Sequence, residues 1–278
     1  MLRQRVITAV VLAGVFLASL VFLNMNWLAL VFAFISMAAA WEWAALAGWT
    51  TPVLRWLYSL ILFFVVASLW FLCELGDDPG RTLIQPWLGV ACFFWSVAML
   101  LVESYPRSTW LWRSPLTRTM MGWFILSATW LSAVFLLTLP HGPVLMVVLV
   151  VGVAAADISA FFVGRKWGVH KLAPAVSPGK TWEGLWGGVL GVMVVTGVIA
   201  SLLPLSLSHL ALPSIFVLGL AVAGAAVLGD LTVSMVKRIG GVKDSGALLP
   251  GHGGVLDRLD SLCGAAPVFA LGLILMGY

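Results

Sequence analysis

The amino-acid sequence predicts an all-α protein: a polytopic transmembrane helical bundle of about nine spans with a cytoplasmic N-terminus. Three observations lead to this fold class. The 278 residues are 62% hydrophobic and only 9% charged, whereas a soluble domain carries about 25% charged residues. The apolar residues form continuous runs of about 20 residues, the length that a spanning helix needs. The basic residues fall almost entirely on one side of those runs. This composition excludes a soluble enzyme, a disordered chain and a nucleic-acid-binding module, so we expect no nucleic-acid partner.

Nine apolar runs make up most of the chain and leave only short connections. In chain order they cover 5–23, 27–47, 54–73, 84–102, 119–138, 143–163, 185–203, 211–233 and 260–277. The runs are continuous rather than alternating, which argues against a membrane β-barrel. The first run resembles a signal peptide, but no small-residue cleavage site precedes the second, so we expect a retained helix. We predict a single membrane domain, 1–278, with scaffold spans in 1–140 and catalytic spans and loops in 141–278.

The placement of basic residues sets the predicted orientation. With the N-terminus inside, 14 of the 15 Lys and Arg residues fall in inside segments, and only Arg81 lies outside. The opposite orientation would break the positive-inside rule at nearly every loop. We therefore predict that the polar loops of the second half face the cytoplasm and that the last of nine crossings ends on the outer side.

The N-terminal half has one carboxylate inside a predicted span, Glu42, which stands between Trp41 and Trp43. A carboxylate is costly in hydrocarbon, so we expect this side chain to face protein rather than lipid. Two interpretations stay open: Glu42 is a functional group, or it is the structural partner of a Lys or Arg at the inner face.

Two further acids lie inside predicted spans of the C-terminal half. Asp157 precedes Arg165 by eight residues, and Asp230 precedes Lys237 by seven. At 1.5 Å per residue, each acid lies about 10–12 Å deeper than its basic cluster. Ionisable residues at such depth indicate function by default, and the alternative is a buried pair with a neighbouring Lys or Arg.

Asp257 and Asp260 stand three residues apart at the start of the last run, so on a helix they share one face. Two close carboxylates repel each other unless a cation lies between or beside them. Hard oxygen ligands suit Mg²⁺, which takes one or two carboxylates and completes its coordination with water and substrate phosphate. Alternatively, these acids favour the positive end of the helix macrodipole, which explains one of them better than the pair.

A glycine-rich loop, LPGHGG at 249–254, precedes this pair. Its glycines permit positive φ and close approach of the backbone to a ligand. Four cations near the loop favour phosphate binding, namely Lys237, Arg238, Lys243 and Arg258. A flexible turn, or the binding of anionic lipid headgroups, would also fit. For His252 three roles stay open: a ligand, a proton donor or a turn residue.

The second polar loop ends in SPGKTWEG at 177–184. Ser177 followed by Pro178 fits the N-cap and first position of the seventh span. A helix N-terminus beside Lys180 and Thr181 would form an anion site. The sequence is not a P-loop, because that motif needs Gly where Pro174 stands and a preceding strand that we do not expect here.

The segment from Ser234 to Asp260, SMVKRIGGVKDSGALLPGHGGVLDRLD, resembles the signature of the phosphatidate cytidylyltransferases, also called CDP-diacylglycerol synthases. The matching positions are Ser234, Lys237, Arg238, Lys243, Asp244, Gly246, Pro250, His252, Gly253, Gly254, Asp257, Arg258 and Asp260. The segments 157–161 and 177–184 also resemble family motifs, although Ile158 and Ser159 stand where the family more often has Thr and Gly.

The resemblance implies a reaction in which CTP and phosphatidate give CDP-diacylglycerol and pyrophosphate with Mg²⁺ as cofactor. It also implies a bacterial inner-membrane protein embedded in bilayer lipid, with its active site at the cytoplasmic face, and a homodimer. Under this hypothesis the metal ligands are Asp230, Asp257 and Asp260. The predicted catalytic residues are these three aspartates together with Lys237 and Arg258. Substrate contacts are expected from Lys180, Thr181, Lys237, Arg238, Lys243, Asp244, His252, Gly253, Gly254 and Asp157. Asp157 either orients one of the cations or holds a second metal ion.

Three alternatives remain at this point. A transporter of an anionic solute would use the intramembrane acids as ion or proton sites, but it predicts ionisable groups at both faces. A CDP-alcohol phosphotransferase or a prenyltransferase would also use paired aspartates. The first of these would need further acids in a motif beginning Asp-Gly, and we find none. A cytidylyltransferase acting on another lipid phosphate would share the same nucleotide-binding residues.

Overall fold

The protein is described by a computed structural model that covers residues 2–76, 81–202, 212–251 and 253–278. These residues form ten helices and one two-stranded hairpin. The helices are α1 (Leu2–Phe22), α2 (Met25–Ala47), α3 (Pro52–Leu72), α4 (Arg81–Glu103), α5 (Thr109–Trp112), α6 (Pro115–Thr138), α7 (Gly142–Trp167), α8 (Trp182–Leu202), α9 (Leu212–Ile239) and α10 (Leu256–Leu275). The strands are β1 (Lys171–Ala173) and β2 (Ser177–Thr181).

The predicted fold class is confirmed. Eight of the described helices are long and apolar enough to cross a membrane, and α1 carries a shorter apolar stretch, Val6–Phe22. Each of the nine predicted runs overlaps one of these helices over most of its described residues. The chain is therefore a multi-pass membrane protein.

Local sequence explains where several helices begin and end. Asn24 caps α2, because its side-chain oxygen accepts a hydrogen bond from the Trp27 N–H at 3.1 Å. Gly48 ends the same helix in the left-handed region, with φ +105°. Ser114 caps α6 and is followed by Pro115, whose missing N–H costs nothing in a first turn.

Two helices continue further than predicted. The predicted runs end at 163 and 233, but α7 continues to Trp167 and α9 continues to Ile239. Basic residues occupy both last turns, where they favour the negative end of the helix dipole. They are Arg165, Lys166, Lys237 and Arg238. Long aliphatic stems let such side chains stay helical while the charge leaves the hydrocarbon.

The prediction of where the seventh span begins was wrong. Ser177 and Pro178 do not open a helix; they lie in β2, which pairs antiparallel with β1. Proline is tolerated at the edge of a two-stranded ribbon because no neighbouring strand needs its N–H. The helix α8 begins at Trp182, and Thr181 caps it by accepting a hydrogen bond from the Gly184 N–H at 3.1 Å.

The helices that carry the polar residues pack closely. Gly229 of α9 lies directly against the backbone of Asp260 and Gly264 on α10, and Gly264 lies against the Ala225 carbonyl. Small residues at such a crossing let two backbones approach inside a membrane. Besides α9, α10 contacts α2, α4, α6 and α7, so the last helix joins both halves of the chain.

Candidate active site

The predicted site residues gather at one end of the bundle. This site end is formed by the last turns of α2, α7 and α9, the first turn of α10, the hairpin and the loop at 240–255. Among the described residues, lysines and aspartates meet there in two groups, one accessible and one buried. On the hairpin side His170 Nδ1 also lies 2.6 Å from Glu183 Oε1.

The accessible group is Lys180 with Asp230. The Lys180 Nζ lies 2.7 Å from Asp230 Oδ2, and the Ser234 hydroxyl donates to Asp230 Oδ1 at 3.0 Å. About a quarter of each charged side chain is exposed, 24% for Lys180 and 26% for Asp230. The hairpin thus delivers a cation to the intramembrane acid of α9, as the ion-pair interpretation expected, and the pair stays open to a ligand.

The buried group is Lys237 between Asp257 and Asp260. The Lys237 Nζ lies 2.9 Å from Asp257 Oδ1 and 4.0 Å from Asp260 Oδ2. Both aspartates lie in the first turns of α10, so their shared face and the cation beside them agree with the predicted arrangement. Only 8% of the Lys237 and Asp257 side chains is exposed.

Asp257 is also held by the backbone. Its carboxylate accepts hydrogen bonds from the Ser245 N–H at 3.0 and 3.1 Å and from the Gly254 N–H at 3.0 Å. With Lys237, these donors occupy both carboxylate oxygens. Asp257 therefore ties the start of α10 to the loop at 240–255.

Asp157 of α7 completes the acidic part of the site end. It accepts a hydrogen bond from the Ser261 hydroxyl at 3.2 Å. It also interacts electrostatically with Lys180, Asp230 and Arg258. Asp230 and Asp260 interact with each other in the same way. The three helices α7, α9 and α10 thus each contribute an acid to this part of the site end.

The donor set can be tested against Mg²⁺. Within the described parts of the chain, no three Asp, Glu, His or Cys side chains are grouped closely enough to hold a metal ion. The predicted ligands Asp230, Asp257 and Asp260 therefore do not form one ligand set, because Asp257 faces Lys237 and backbone donors. Mg²⁺ ordinarily takes one or two carboxylates and leaves its other positions to water and phosphate. Asp230 and Asp260, which are near enough to interact electrostatically, are the two carboxylates left as candidates for such a site.

The glycine-rich loop forms a tight turn. Gly251 and Gly253 adopt positive φ, +75° and +84°, and the Leu249 N–H donates to the Gly253 carbonyl at 2.9 Å. Both positions thus need glycine for a positive φ, as expected from the sequence. His252 lies outside the described residues.

The other residues predicted to contact substrate differ in how exposed they are. The Arg238 Nε donates to the Val176 carbonyl at 2.9 Å and so fastens α9 to the hairpin. Thr181 is buried and caps α8. Lys243, Asp244 and Arg258 are exposed at the site end, where charged side chains are able to meet a ligand from solution.

Glu42 enters the site from the N-terminal half. It is fully buried and accepts hydrogen bonds from the Ser245 hydroxyl at 2.7 Å, the Val255 N–H at 3.0 Å and the Leu256 N–H at 2.9 Å. Of the two open interpretations, that of a Lys or Arg partner is met only by an electrostatic interaction with Arg55, and the hydrogen-bond partners are a hydroxyl and two backbone amides. The only sequence signal for this was a carboxylate inside a span.

Comparison with known proteins decides the family. A sequence profile of the cytidylyltransferase family matches residues 3–276. The chain belongs to the cytidylyltransferase family. A protein of Pseudomonas aeruginosa named phosphatidate cytidylyltransferase is 40% identical over 100% of this chain and 99% of its own length. One of the same name from Haemophilus influenzae is 38% identical over 97% of this chain and 98% of its own. In Arabidopsis thaliana, phosphatidate cytidylyltransferase 5, chloroplastic, is 36% identical over 62% of this chain and 47% of its own.

For a cytidylyltransferase the charge pattern has a direct chemical use. A nucleoside triphosphate needs cations that neutralise its phosphates and hold them in line with an acceptor. Of the cations at the site end, Lys180 is partly accessible, and Lys243 and Arg258 are exposed. The buried Lys237 fixes the aspartates behind them.

Proposed function

We propose that this cytidylyltransferase transfers the cytidylyl group of CTP to phosphatidate and forms CDP-diacylglycerol and pyrophosphate. We further propose that it works in a bacterial inner membrane, with the site end at the cytoplasmic face, where CTP is available. The observation that carries the proposal is the accessible Lys180–Asp230 pair inside a membrane-spanning bundle. Charged groups at this position would be able to meet both a lipid phosphate and a nucleotide.

The chemistry requires little proton transfer. A phosphate monoester carries about −1.5 to −2 charge at neutral pH, so its oxygen is already an adequate nucleophile. That oxygen attacks the α-phosphorus of CTP, the bond from the α-phosphorus to the bridging oxygen breaks, and pyrophosphate leaves with the electron pair. The main barrier is repulsion between two anions. Lys180, Lys243 and Arg258 would lower it by neutralising both reactants and aligning them.

Asp230 and Asp260 would hold Mg²⁺ in this proposal. Bound there, the metal would neutralise the triphosphate and stabilise the leaving pyrophosphate. Asp257 keeps a different role, because its oxygens hold Lys237 and the loop backbone. Asp157, hydrogen-bonded to Ser261, would keep the Lys180 and Arg258 charges near the reacting phosphates.

The depth of the acids supports a lipid acceptor. Asp230 lies nine residues before Ile239, the end of α9, which is about 13 Å along the helix axis. A largely apolar cavity of 1410 Å³ runs along α9 between α4, α8 and α10, and its lining includes Leu228 and Leu231, which flank Asp230 in the chain. A phosphate at Asp230 would thus keep its acyl chains in apolar surroundings.

Incubation of purified protein with labelled CTP, Mg²⁺ and one acceptor at a time tests the proposal. The acceptors are phosphatidate, an isoprenyl phosphate and water-soluble glycerol 3-phosphate. We expect a lipid-soluble cytidine product with phosphatidate alone, and its loss when EDTA removes Mg²⁺. A product only with the isoprenyl phosphate, or none with folded protein, would contradict the proposal.

A further inference from the structure

We infer that Glu42 is a positioning residue, which reaches from α2 into the signature loop and holds the start of α10 in the geometry needed for catalysis. The catalysis meant is the proposed cytidylyl transfer, so this inference rests on the proposed function. The contacts join residues more than 200 positions apart, 42 with 245, 255 and 256. A residue of the N-terminal half thereby completes the site of the C-terminal half.

The start of α10 lacks a local cap. Val255 occupies the N-cap position, and its side chain makes no capping hydrogen bond. The first N–H groups of a helix have no partner within the helix, and Ser, Thr, Asp or Asn usually supplies one. Here Glu42 Oε1 accepts from the Val255 N–H and Oε2 accepts from the Leu256 N–H. Its negative charge also suits the positive end of the helix dipole.

Ser245 connects Glu42 to the aspartates. The Ser245 hydroxyl donates to Glu42, and its backbone N–H donates to Asp257. Asp257 in turn binds Lys237, which also faces Asp260. A displacement of Glu42 would therefore shift Ser245, and through Ser245 it would shift Asp257 and Lys237.

The surroundings leave the carboxylate little freedom. A methyl group on Gly246 or Gly254 would overlap the Glu42 carboxylate, so both glycines allow the loop to approach it closely. On the other side α2 is fastened to α6, since Trp43 Nε1 donates to the Arg118 carbonyl at 2.8 Å and Arg118 donates to the Leu46 carbonyl at 2.6 Å. Glu42 is thus a fixed point against which the loop is held.

Only a carboxylate satisfies this set of partners. All three groups facing Glu42 are donors, two of them backbone amides that cannot become acceptors. In Glu42→Gln one oxygen becomes an NH₂ group. Whichever way the amide points, its donor faces the N–H of Val255 or of Leu256. The isosteric substitution therefore misplaces the loop without changing side-chain volume.

Steady-state kinetics of Glu42→Gln, Ser245→Ala and the double variant test the inference, with Glu74→Gln as the matched control. Glu74 is exposed at the opposite end of the bundle. We expect kcat per folded molecule of Glu42→Gln to fall about 10²-fold, the effect of an ångström-scale misplacement, with KM for CTP changed much less. The double variant should lose less than the product of the single losses, because the two residues share a contact. A purely structural role would lower the yield of folded protein and leave its kcat intact.

Limited trypsin digestion at Lys243, which is exposed in the loop, provides a readout independent of activity. We expect faster cleavage in Glu42→Gln than in wild type or Glu74→Gln. Folded Glu42→Gln with wild-type kcat and an unchanged cleavage rate would overturn the inference. If wild type itself makes no cytidine lipid, the proposed function fails, and the digestion alone decides whether Glu42 holds the loop.

Discussion

At the scale of single residues, the two lysine groups differ in how open they are, and this separates their roles. Lys180 and Asp230 are partly exposed. A phosphate is therefore able to take the place of Asp230 beside Lys180, and a metal ion to take the place of Lys180 beside Asp230. Lys237 and Asp257 are buried and further fixed by backbone donors. The first pair is suited to substrate and the second to keeping the geometry.

Asp230→Asn tests the accessible pair. Removing this charge should lower kcat by about 10²- to 10³-fold, the range seen when one electrostatic group of a transition state is lost. Stability should fall less than in a variant of the buried Lys237 group, since the Lys180–Asp230 pair is the more exposed of the two. Turnover of labelled CTP and thermal unfolding in detergent measure the two effects, with Glu74→Gln as control. Near-normal turnover in Asp230→Asn would remove this residue from the site.

Lys237→Met tests the buried group. It leaves Asp257 and Asp260 without their cation in a buried place, which typically costs about 3–5 kcal/mol. We expect a clearly lower unfolding temperature, in contrast to Asp230→Asn, together with loss of activity. An unfolding temperature equal to that of wild type would show that the aspartates do not depend on Lys237.

Residue-scale prediction from the sequence succeeded where spacing carries geometry. The three-residue separation of Asp257 and Asp260 placed them on one helical face, and apolar neighbours marked Asp157 and Asp230 as intramembrane acids. Partners were not predictable, because nothing in the sequence links Glu42 to Ser245, and because Asp257 is held by backbone amides that any residue provides.

At the scale of elements, the crossing of α9 and α10 determines how near Asp230 comes to Asp260. Gly229 precedes Asp230 directly and lies against the backbone of Asp260. The hairpin then brings Lys180 over the same crossing. Backbone approach between two helices is thus part of the site.

Gly229→Ala tests the crossing, with Gly89→Ala on α4 as control, because Gly89 lies outside both the site end and the apolar cavity. A methyl group at Gly229 would meet the Asp260 carbonyl and, at 2.9 Å, the Gly264 nitrogen, whereas one at Gly89 meets nothing within 4 Å. We expect the first variant to lose at least about tenfold in kcat, since ångström-scale shifts of catalytic groups cost up to 10²-fold, and the second to resemble wild type. Equal activities would show that the helix spacing tolerates this change.

Element boundaries were harder to predict than element existence. The cationic ends of α7 and α9 suggested loops, but they are last helical turns whose charges favour the helix dipole. The Ser177-Pro178 pair has the chemistry of a helix start, yet the cap is Thr181, four residues later. Local composition does not show that Ser177 and Pro178 lie in a strand rather than at a helix start, because pairing with β1 decides their conformation.

At the scale of the whole molecule, the two ends of the bundle differ in character. The site end holds the ion pairs and the glycine-rich loop. At the other end Tyr278 donates to the Pro140 carbonyl at 2.9 Å, next to the turn between α6 and α7. Hydropathy was sufficient to predict this arrangement of spans, because each long apolar run must form a helix in lipid.

Cysteine labelling of intact cells tests the orientation. In a variant with its three native cysteines replaced by alanine, Glu74→Cys lies at the outer end and Lys171→Cys lies on the hairpin of the site end. A membrane-impermeant maleimide should label Glu74→Cys in intact cells, and Lys171→Cys only after permeabilisation. The reverse pattern would place the site outside and contradict the orientation inferred from the basic residues.

The fate of two phosphates of CTP tests the central claim most directly. CTP carrying one isotope at the α-phosphorus and another at the γ-phosphorus is incubated with purified protein, Mg²⁺ and phosphatidate. We predict that the α label enters the lipid phase in the same molar amount as the γ label enters pyrophosphate. Transfer of the γ label to lipid, or an α label that stays in the aqueous nucleotide, would contradict cytidylyl transfer by this protein.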